Sequence, residues 1–104
     1  MKLITVIIQP EKLEAVQAVV TEHDGNLMSV SQVLGDPREP GYTEIYRGRE
    51  CRVPRPRLRL EIVAKDGSVV PLVEAITRAG SARYPGQSVF VVPLDECVGV
   101  PQAQ

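Results

Sequence analysis

The sequence has few of the residue types on which many functions depend. Its 104 residues include no tryptophan, one phenylalanine, three tyrosines, one histidine and two cysteines. The core must therefore be aliphatic, and a lone histidine with scattered cysteines argues against a metal or catalytic centre. No stretch reaches the roughly 18 consecutive apolar residues of a membrane span. The net charge of −1 also argues against nucleic-acid binding, which usually requires a basic excess.

The two cysteines give little indication of chemistry. Cys51 and Cys97 are far apart and lack metal-type spacing. The first ten residues alternate like a strand and lack the small-residue cleavage site of an export signal. We therefore expect a cytoplasmic protein with reduced thiols. A disulfide between Cys51 and Cys97 remains the alternative.

What the sequence does contain is a regular succession of apolar segments. Strands are predicted at residues 2–9, 27–34, 57–64 and 88–94. Helices are predicted at residues 11–24 and 65–80, where apolar residues recur at i, i+3 and i+7. The order β-α-β-loop-β-α-β predicts an α+β, ferredoxin-like sandwich. Both helices should cover one face of a four-stranded antiparallel sheet.

Proline, glycine and serine mark the expected ends of the helices. Pro10 suits the first turn of the first helix, where its missing N–H costs nothing. Gly25 is available for a left-handed cap at the end of that helix. Ser68 is a plausible N-cap for the second helix.

Residues 35–56 form a long segment with no predicted element. Prolines and glycines interrupt any period there, and a loop of this length in a small domain is usually functional or disordered. Six of the nine arginines lie between residues 41 and 63, at positions 47, 49, 52, 55, 57 and 59. The sheet face opposite the helices should carry Thr5, Ile7, Arg57 and Arg59. This mixture predicts self-association through that face.

Several segments resemble the PII signal-transduction proteins. "MKLITVIIQPEKLEAV" is similar to the family's first strand and helix, and "GYTEIYRG" to "GHTELYRG" at the base of its long T-loop. "LRLEIV" and "SVFVVPLDECV" resemble the third and fourth strands of that family. The likeness covers essentially the whole chain.

The resemblance implies one PII-like domain over residues 1–104. Its T-loop would span about 36–55, its B-loop about 80–87 and its C-terminal segment 94–104. PII proteins are homotrimers that bind adenine nucleotides in clefts between subunits. Their T-loops contact a partner, often a membrane transporter or an enzyme. The chain is accordingly expected to be a sensor rather than an enzyme, with no nucleic-acid partner and no membrane-embedded part.

The resemblance also assigns candidate binding residues. Candidate nucleotide contacts are Gly35, Arg38, Val63, Arg83 and Gly86. Candidate anion or partner contacts are Arg47, Arg49, Arg52, Arg57 and Arg59. Arg47 matches the arginine that family members insert into a transporter. Alternatives stay open: the loop arginines could be merely solvated, and Gly35 could be a plain turn. Arg49 and Arg52 could capture bicarbonate through forked donors, or could pair with Glu44, Glu50 and Glu61.

The departures from the family concern its ligands. Cys51 replaces the tyrosine that is uridylylated in some members; it could be a redox-sensing thiol or an inert, partly buried one. Glu39 replaces the glutamine that supports magnesium and 2-oxoglutarate. Ser88, Gly99 and Pro101 replace cationic residues that hold phosphates. Each lost charge-assisted contact is worth roughly 1.5–3 kcal/mol, so ATP should be weakened more than ADP or AMP.

This pattern resembles PII-like relatives that bind AMP or ADP, some of them carboxysome-associated and responsive to bicarbonate. One alternative is a nitrogen-regulatory PII protein that binds ATP and 2-oxoglutarate and controls an ammonium transporter or enzyme. Another is a degenerate scaffold that binds only protein partners. An enzyme, or a metal-binding trimer of a related fold, is disfavoured because acid–base pairs and ligand clusters are lacking.

Overall fold

A four-stranded antiparallel sheet organises the protein, which was analysed as a computed structural model describing residues 1–34, 42–80 and 88–99. The strands are β1 (Lys2–Ile8), β2 (Asn26–Val33), β3 (Tyr42–Tyr46), β4 (Arg49–Val53), β5 (Arg57–Ala64) and β6 (Ser88–Pro93). The helices are α1 (Leu13–Glu22) and α2 (Val69–Ala79), which follow the 3-10 turns Pro10–Lys12 and Asp66–Ser68. The sheet order is β2-β5-β1-β6.

The apolar side chains of β1 and β5 explain why these strands lie in the middle of the sheet. Every second residue of β1, namely Ile4, Val6 and Ile8, is buried. Directly opposite on β5, Leu60 and Ile62 are also fully buried. A strand that is hydrogen-bonded on both sides and apolar on one face belongs at the centre of the core. The predicted ferredoxin-like α+β fold is confirmed.

Both helices cover that same face of the sheet. α1 contributes Val16 and Val20, and α2 contributes Leu72 and Ile76, all of which belong to one buried cluster with the strand residues. These positions follow the helical spacing in the sequence, so the predicted amphipathic helices are confirmed. Pro10 lies at the start of the turn that leads into α1, as predicted.

The end of α1 differs from the sequence prediction. The left-handed residue is Asp24, with φ 59°, and not Gly25, so the predicted role of Gly25 is wrong. The backbone N–H of Gly25 donates to the Val20 carbonyl at 2.8 Å and that of Asp24 to the Thr21 carbonyl at 3.3 Å. These two bonds form a Schellman motif, in which a short polar residue takes the left-handed position.

An ion pair links the N-terminal amine to the 3-10 turn that precedes α2. The α-amine of Met1 lies 2.8 Å from Oδ1 of Asp66, and this contact holds the pKa of Asp66 below its usual value. Ser68 lies at the N-cap position of α2, as predicted, but its hydroxyl makes no capping hydrogen bond to the residues that the structure describes.

The segment predicted to lack regular structure contains a β-hairpin. β3 and β4 pair from Tyr42–Val53 to Tyr46–Arg49 and form a separate two-stranded sheet. Arg47 and Gly48 make its turn, with φ 53° and 76°, which is the signature of a type I′ turn. The prolines and glycines that obscured the period all lie outside these strands in sequence.

The hairpin projects from the helix-and-sheet body. The molecule extends 56 × 26 × 20 Å and has a radius of gyration of 15.8 Å. A spherical domain of this length would have a radius of gyration of about 13 Å. The excess is consistent with an arm that adds length and contributes little to the core.

Candidate ligand and partner site

The helix-free face of the sheet collects several of the predicted site residues. Alternate residues of β5 point to this face, so Arg57, Arg59, Glu61 and Val63 share it. β1 contributes Thr5 and Ile7, which lie opposite Glu61 and Arg59. The sequence prediction that Thr5, Ile7, Arg57 and Arg59 share one face is thus confirmed by the strand register.

This face also presents apolar side chains to solvent. Phe90 of β6 lies opposite Thr5, and Val92 lies opposite Leu3. Phe90 is 59% exposed and Val92 is 47% exposed. The chain's only phenylalanine is therefore placed on the surface, where its burial against another molecule would be favourable.

The polar residues of the face are held in different ways. Arg57 is buried, and its Nη1 donates to the Pro56 carbonyl at 3.0 Å. Arg59 is exposed. Glu61 accepts a hydrogen bond of 2.9 Å from Oγ of Ser29 on the neighbouring strand. The buried arginine thus contributes to the local structure of this chain, while Arg59 faces outward.

Val63 lies at the far end of β5 from Arg57. It is buried, with Leu3 of β1 and Asn26 of β2 as its register neighbours. The two positions are six residue steps apart along an extended strand, a distance of about 20 Å. The candidate nucleotide contact and the buried arginine therefore mark opposite ends of the same helix-free face.

The tip of the hairpin carries exposed positive charge. Arg47 occupies the turn, and Arg49 lies directly opposite Tyr46. The Arg47 guanidinium is 5.4 Å from the centre of the Tyr46 ring, a cation–π geometry. Within the described ranges, neither Arg49, Arg52 nor Arg59 makes an ion pair with a carboxylate. The alternative in which Arg49 and Arg52 pair with Glu44, Glu50 and Glu61 is therefore wrong for these described residues.

Cys51 and Cys97 are free thiols, so the alternative of a disulfide between them is wrong. Cys51 is partly buried on β4. It lines an open depression of about 320 Å³ together with Thr43, Glu50 and Arg52. Because a carboxylate and a guanidinium share this depression, its electrostatics do not favour an anion on their own.

Most of the predicted nucleotide contacts lie outside the described residues. These are Gly35, Arg38, Arg83 and Gly86, and the departures at Glu39 and Pro101 also lie there. Gly99 is described and has a φ of 80°. A family arginine at that position would therefore adopt a strained backbone conformation.

The described part of the chain holds neither a cluster of metal ligands nor a membrane-spanning helix. Histidine, cysteine and carboxylate side chains form no group of three or more that could hold a metal ion in residues 1–34, 42–80 and 88–99. In these same ranges, neither helix has the length and apolarity needed to cross a membrane.

The fold and its projecting arm define a class of protein: a ferredoxin-like α+β domain with an exposed sheet face and a long loop. Residues 1–103 match the family described as nitrogen regulatory protein P-II. The chain belongs to the P-II family, whose members are regulatory signal transducers and not enzymes.

Curated relatives match along nearly the whole chain. Nitrogen regulatory protein P-II 2 of Methanothermobacter thermautotrophicus is 37% identical over 102 residues, which cover 96% of this chain and 89% of the relative. Nitrogen regulatory protein P-II of Azospirillum brasilense is 35% identical over 102 residues, covering 96% and 91%. The protein of the same description from Rhizobium etli gives the same identity and coverage.

Sequence reasoning missed two features of the site. The first is the hairpin, although "YTEIY" and "RECRV" flank an Arg-Gly pair that suits a two-residue turn. The second is the hydrogen bond between Ser29 and Glu61, which depends on the pairing of β2 with β5. The alternating pattern could have revealed the hairpin, but no local signal specifies a bond between residues 32 positions apart.

Proposed function

We propose that this protein is a homotrimeric PII-like regulator that binds an adenine nucleotide between subunits and signals to a protein partner through its hairpin. The observation that carries the proposal is the helix-free sheet face, which exposes Phe90 and Val92 on β6 and Arg59 on β5, two strands away. A second copy of the chain would cover the apolar part of this face. Closed cyclic assembly is the usual way in which identical chains do so.

The nucleotide proposed is AMP or ADP in preference to ATP. Arg38 and Arg83 remain as cations for a phosphate, while Ser88, Gly99 and Pro101 stand where the family places cationic residues. The positive φ of Gly99 supports this preference, because the backbone there suits glycine rather than arginine. A ligand with fewer phosphate charges depends less on the missing contacts.

The second effector proposed is bicarbonate, with a role in inorganic carbon metabolism of the carboxysome-associated kind. Glu39 would repel the dicarboxylate 2-oxoglutarate. Arg49 and Arg52 are exposed, and each supplies forked donors suited to a small planar anion, although from opposite faces of β4 because they are three residues apart on one strand. Glu50 lies between them in sequence, so bicarbonate would have to bind through the guanidinium groups in spite of a neighbouring carboxylate.

A second candidate is a nitrogen-regulatory function. The relatives from Azospirillum brasilense and Rhizobium etli both carry that description. This candidate requires binding of ATP with 2-oxoglutarate and control of an ammonium transporter or an enzyme. The ligand preference separates it from the first proposal.

A thermal-shift panel tests the proposal. The full chain is heated with AMP, ADP or ATP, each with and without bicarbonate or 2-oxoglutarate. A nucleotide present at 100 times its Kd should stabilise the fold by about 2.7 kcal/mol. We expect AMP or ADP to raise Tm more than ATP at equal concentration, with a further rise from bicarbonate.

Matched variants identify the site responsible for the shift. Arg83→Ala should reduce the nucleotide-dependent rise, whereas Arg78→Ala, at an exposed arginine of α2, should leave it unchanged. A larger effect of ATP with 2-oxoglutarate would support the nitrogen-regulatory candidate. No shift with any adenine nucleotide would leave only a scaffold that binds protein partners.

A further inference from the structure

The hairpin of β3 and β4 has two backbone edges that no third strand covers within the described ranges. In a hairpin closed by a two-residue turn, the pair next to the turn is hydrogen-bonded, here Tyr46 with Arg49. The alternation of the ladder then directs the N–H and C=O groups of Thr43 and Ile45 outward from β3. It directs those of Arg52 and Glu50 outward from β4. Each edge is a template for a further strand.

The two edges differ in how well they resist such pairing. β4 carries exposed charges at Arg49, Glu50 and Arg52, and charged side chains on an edge strand hinder the approach of another strand. β3 carries one charge, Glu44, and exposes Ile45 to 77%. The outer edge of β3 is therefore the one that can accept a strand.

The charges at the hairpin tip indicate which strand this would be. Arg47 is held against the Tyr46 ring, and Arg49 makes no ion pair with a described carboxylate. A second copy of the hairpin would bring three arginines against the two carboxylates Glu44 and Glu50, so two copies would carry the same net positive charge and repel each other. A segment with carboxylates would gain charge-assisted hydrogen bonds and a faster encounter.

We propose that the outer edge of β3 binds an extended, acidic segment of a partner protein by strand addition. The backbone groups of Thr43 and Ile45 would hold the segment, the Ile45 side chain would pack against an apolar residue, and Arg47 would pair with a carboxylate. The proposal rests on the proposed function only in using the hairpin as the partner-contacting arm.

The test uses the full-length protein and a displayed library of random twelve-residue peptides. We expect the selected peptides to be rich in acidic residues and to alternate between apolar and polar positions. Their affinities are then measured for two proline variants. Thr43 and Arg52 lie directly opposite each other and both direct an N–H outward. A proline at such a position removes a donor without breaking the hairpin's own ladder.

Thr43→Pro should weaken peptide binding about tenfold or more, because it removes a backbone donor and blocks the edge. Arg52→Pro makes the same change on the opposite edge and should weaken binding less than about threefold. Amide exchange of β4 reports whether each variant keeps its hairpin. Arg47→Glu leaves the backbone intact, and it should also weaken binding about tenfold and remove its salt dependence.

Three results would overturn the proposal. They are no enrichment of peptides, enriched peptides without acidic residues, and equal losses in the two proline variants with both hairpins intact. Concentration-dependent self-association that Thr43→Pro abolishes would instead identify a second copy as the occupant. The nucleotide thermal shift is measured on Thr43→Pro in parallel. If that shift is absent in every protein while the peptide results hold, the nucleotide proposal fails and strand addition stands.

Discussion

Gly25 lies where the turn after α1 passes closest to the core. A Cβ at this position would be 3.0 Å from Leu72 Cδ2, 3.0 Å from Val20 Cγ1 and 3.2 Å from Ile62 Cγ2. All three neighbours are buried and belong to the central cluster. Their side chains are packed on every side, so they have little freedom to move away from an added methyl group.

Gly25→Ala should therefore lower the free energy of unfolding by about 1–3 kcal/mol, the usual cost of overpacking a core. Gly67→Ala is the matched control, because nothing lies within 4 Å of a Cβ added there. That variant should be neutral or more stable by up to about 1 kcal/mol. Urea unfolding measures both, and equal midpoints would show that the space around Gly25 adjusts.

A substitution at residue 88 tests the proposed preference for AMP or ADP over ATP. It begins β6 in register with Ile7, which lies opposite Arg59 on β5. Ser88→Lys would restore a cation that the family uses for phosphate, and a charge-assisted contact is worth roughly 1.5–3 kcal/mol. We expect the ATP-dependent rise in Tm to increase more than the AMP-dependent rise. An equal increase for both would place the added charge away from the distal phosphates.

At the scale of secondary-structure elements, periodicity in the sequence was sufficient where one face is buried. β5 occupies residues 57–64 as predicted, because alternate apolar residues there lie under two helices. The end of α1 and the hairpin were harder to predict. At the end of α1, close packing and not a positive φ explains why residue 25 is glycine. The hairpin strands are short and mostly exposed, and the prolines on either side of them obscure their alternation.

Because the hairpin is mostly exposed, the conformation of its turn is the main factor that keeps its two strands paired. Gly48 has a φ of 76°, and nothing lies within 4 Å of a Cβ added there. Any effect of substitution is thus conformational, and a left-handed conformation costs an ordinary residue roughly 1–2 kcal/mol. An isolated two-stranded hairpin is only marginally stable in water, so a cost of this size should open it.

Gly48→Val should abolish amide protection in β3 and β4 while leaving the Tm of the protein within about 2 °C of the parent, since surface changes away from the core have small effects. Arg47→Gly removes the left-handed penalty at the neighbouring position and should increase the protection. Hydrogen exchange measures both variants. A large fall in Tm for Gly48→Val would mean that the hairpin contributes to the stability of the body.

At the scale of the whole molecule, the two sides of the sheet have different roles. The helix-covered side contains the core cluster that any ferredoxin-like domain requires. The helix-free side has buried Val63 and Arg57 at its two ends and exposed apolar residues on β6. No single segment of the sequence predicts which residues make up the helix-free side, because that side arises from the register of four strands. The proposed trimer would complete this side as the helices complete the other.

Phe90→Asp tests the trimer directly, because it places a charge on the proposed interface. A buried, unpaired carboxylate is strongly unfavourable, so the variant should sediment as a monomer at concentrations where the parent is a trimer. Val70→Asp is the control: Val70 is 66% exposed on α2, against 59% for Phe90, but lies in the helical layer. It should remain trimeric. A monomeric parent, or a trimeric Phe90→Asp, would show that the exposed face of β6 is not the surface through which the subunits assemble.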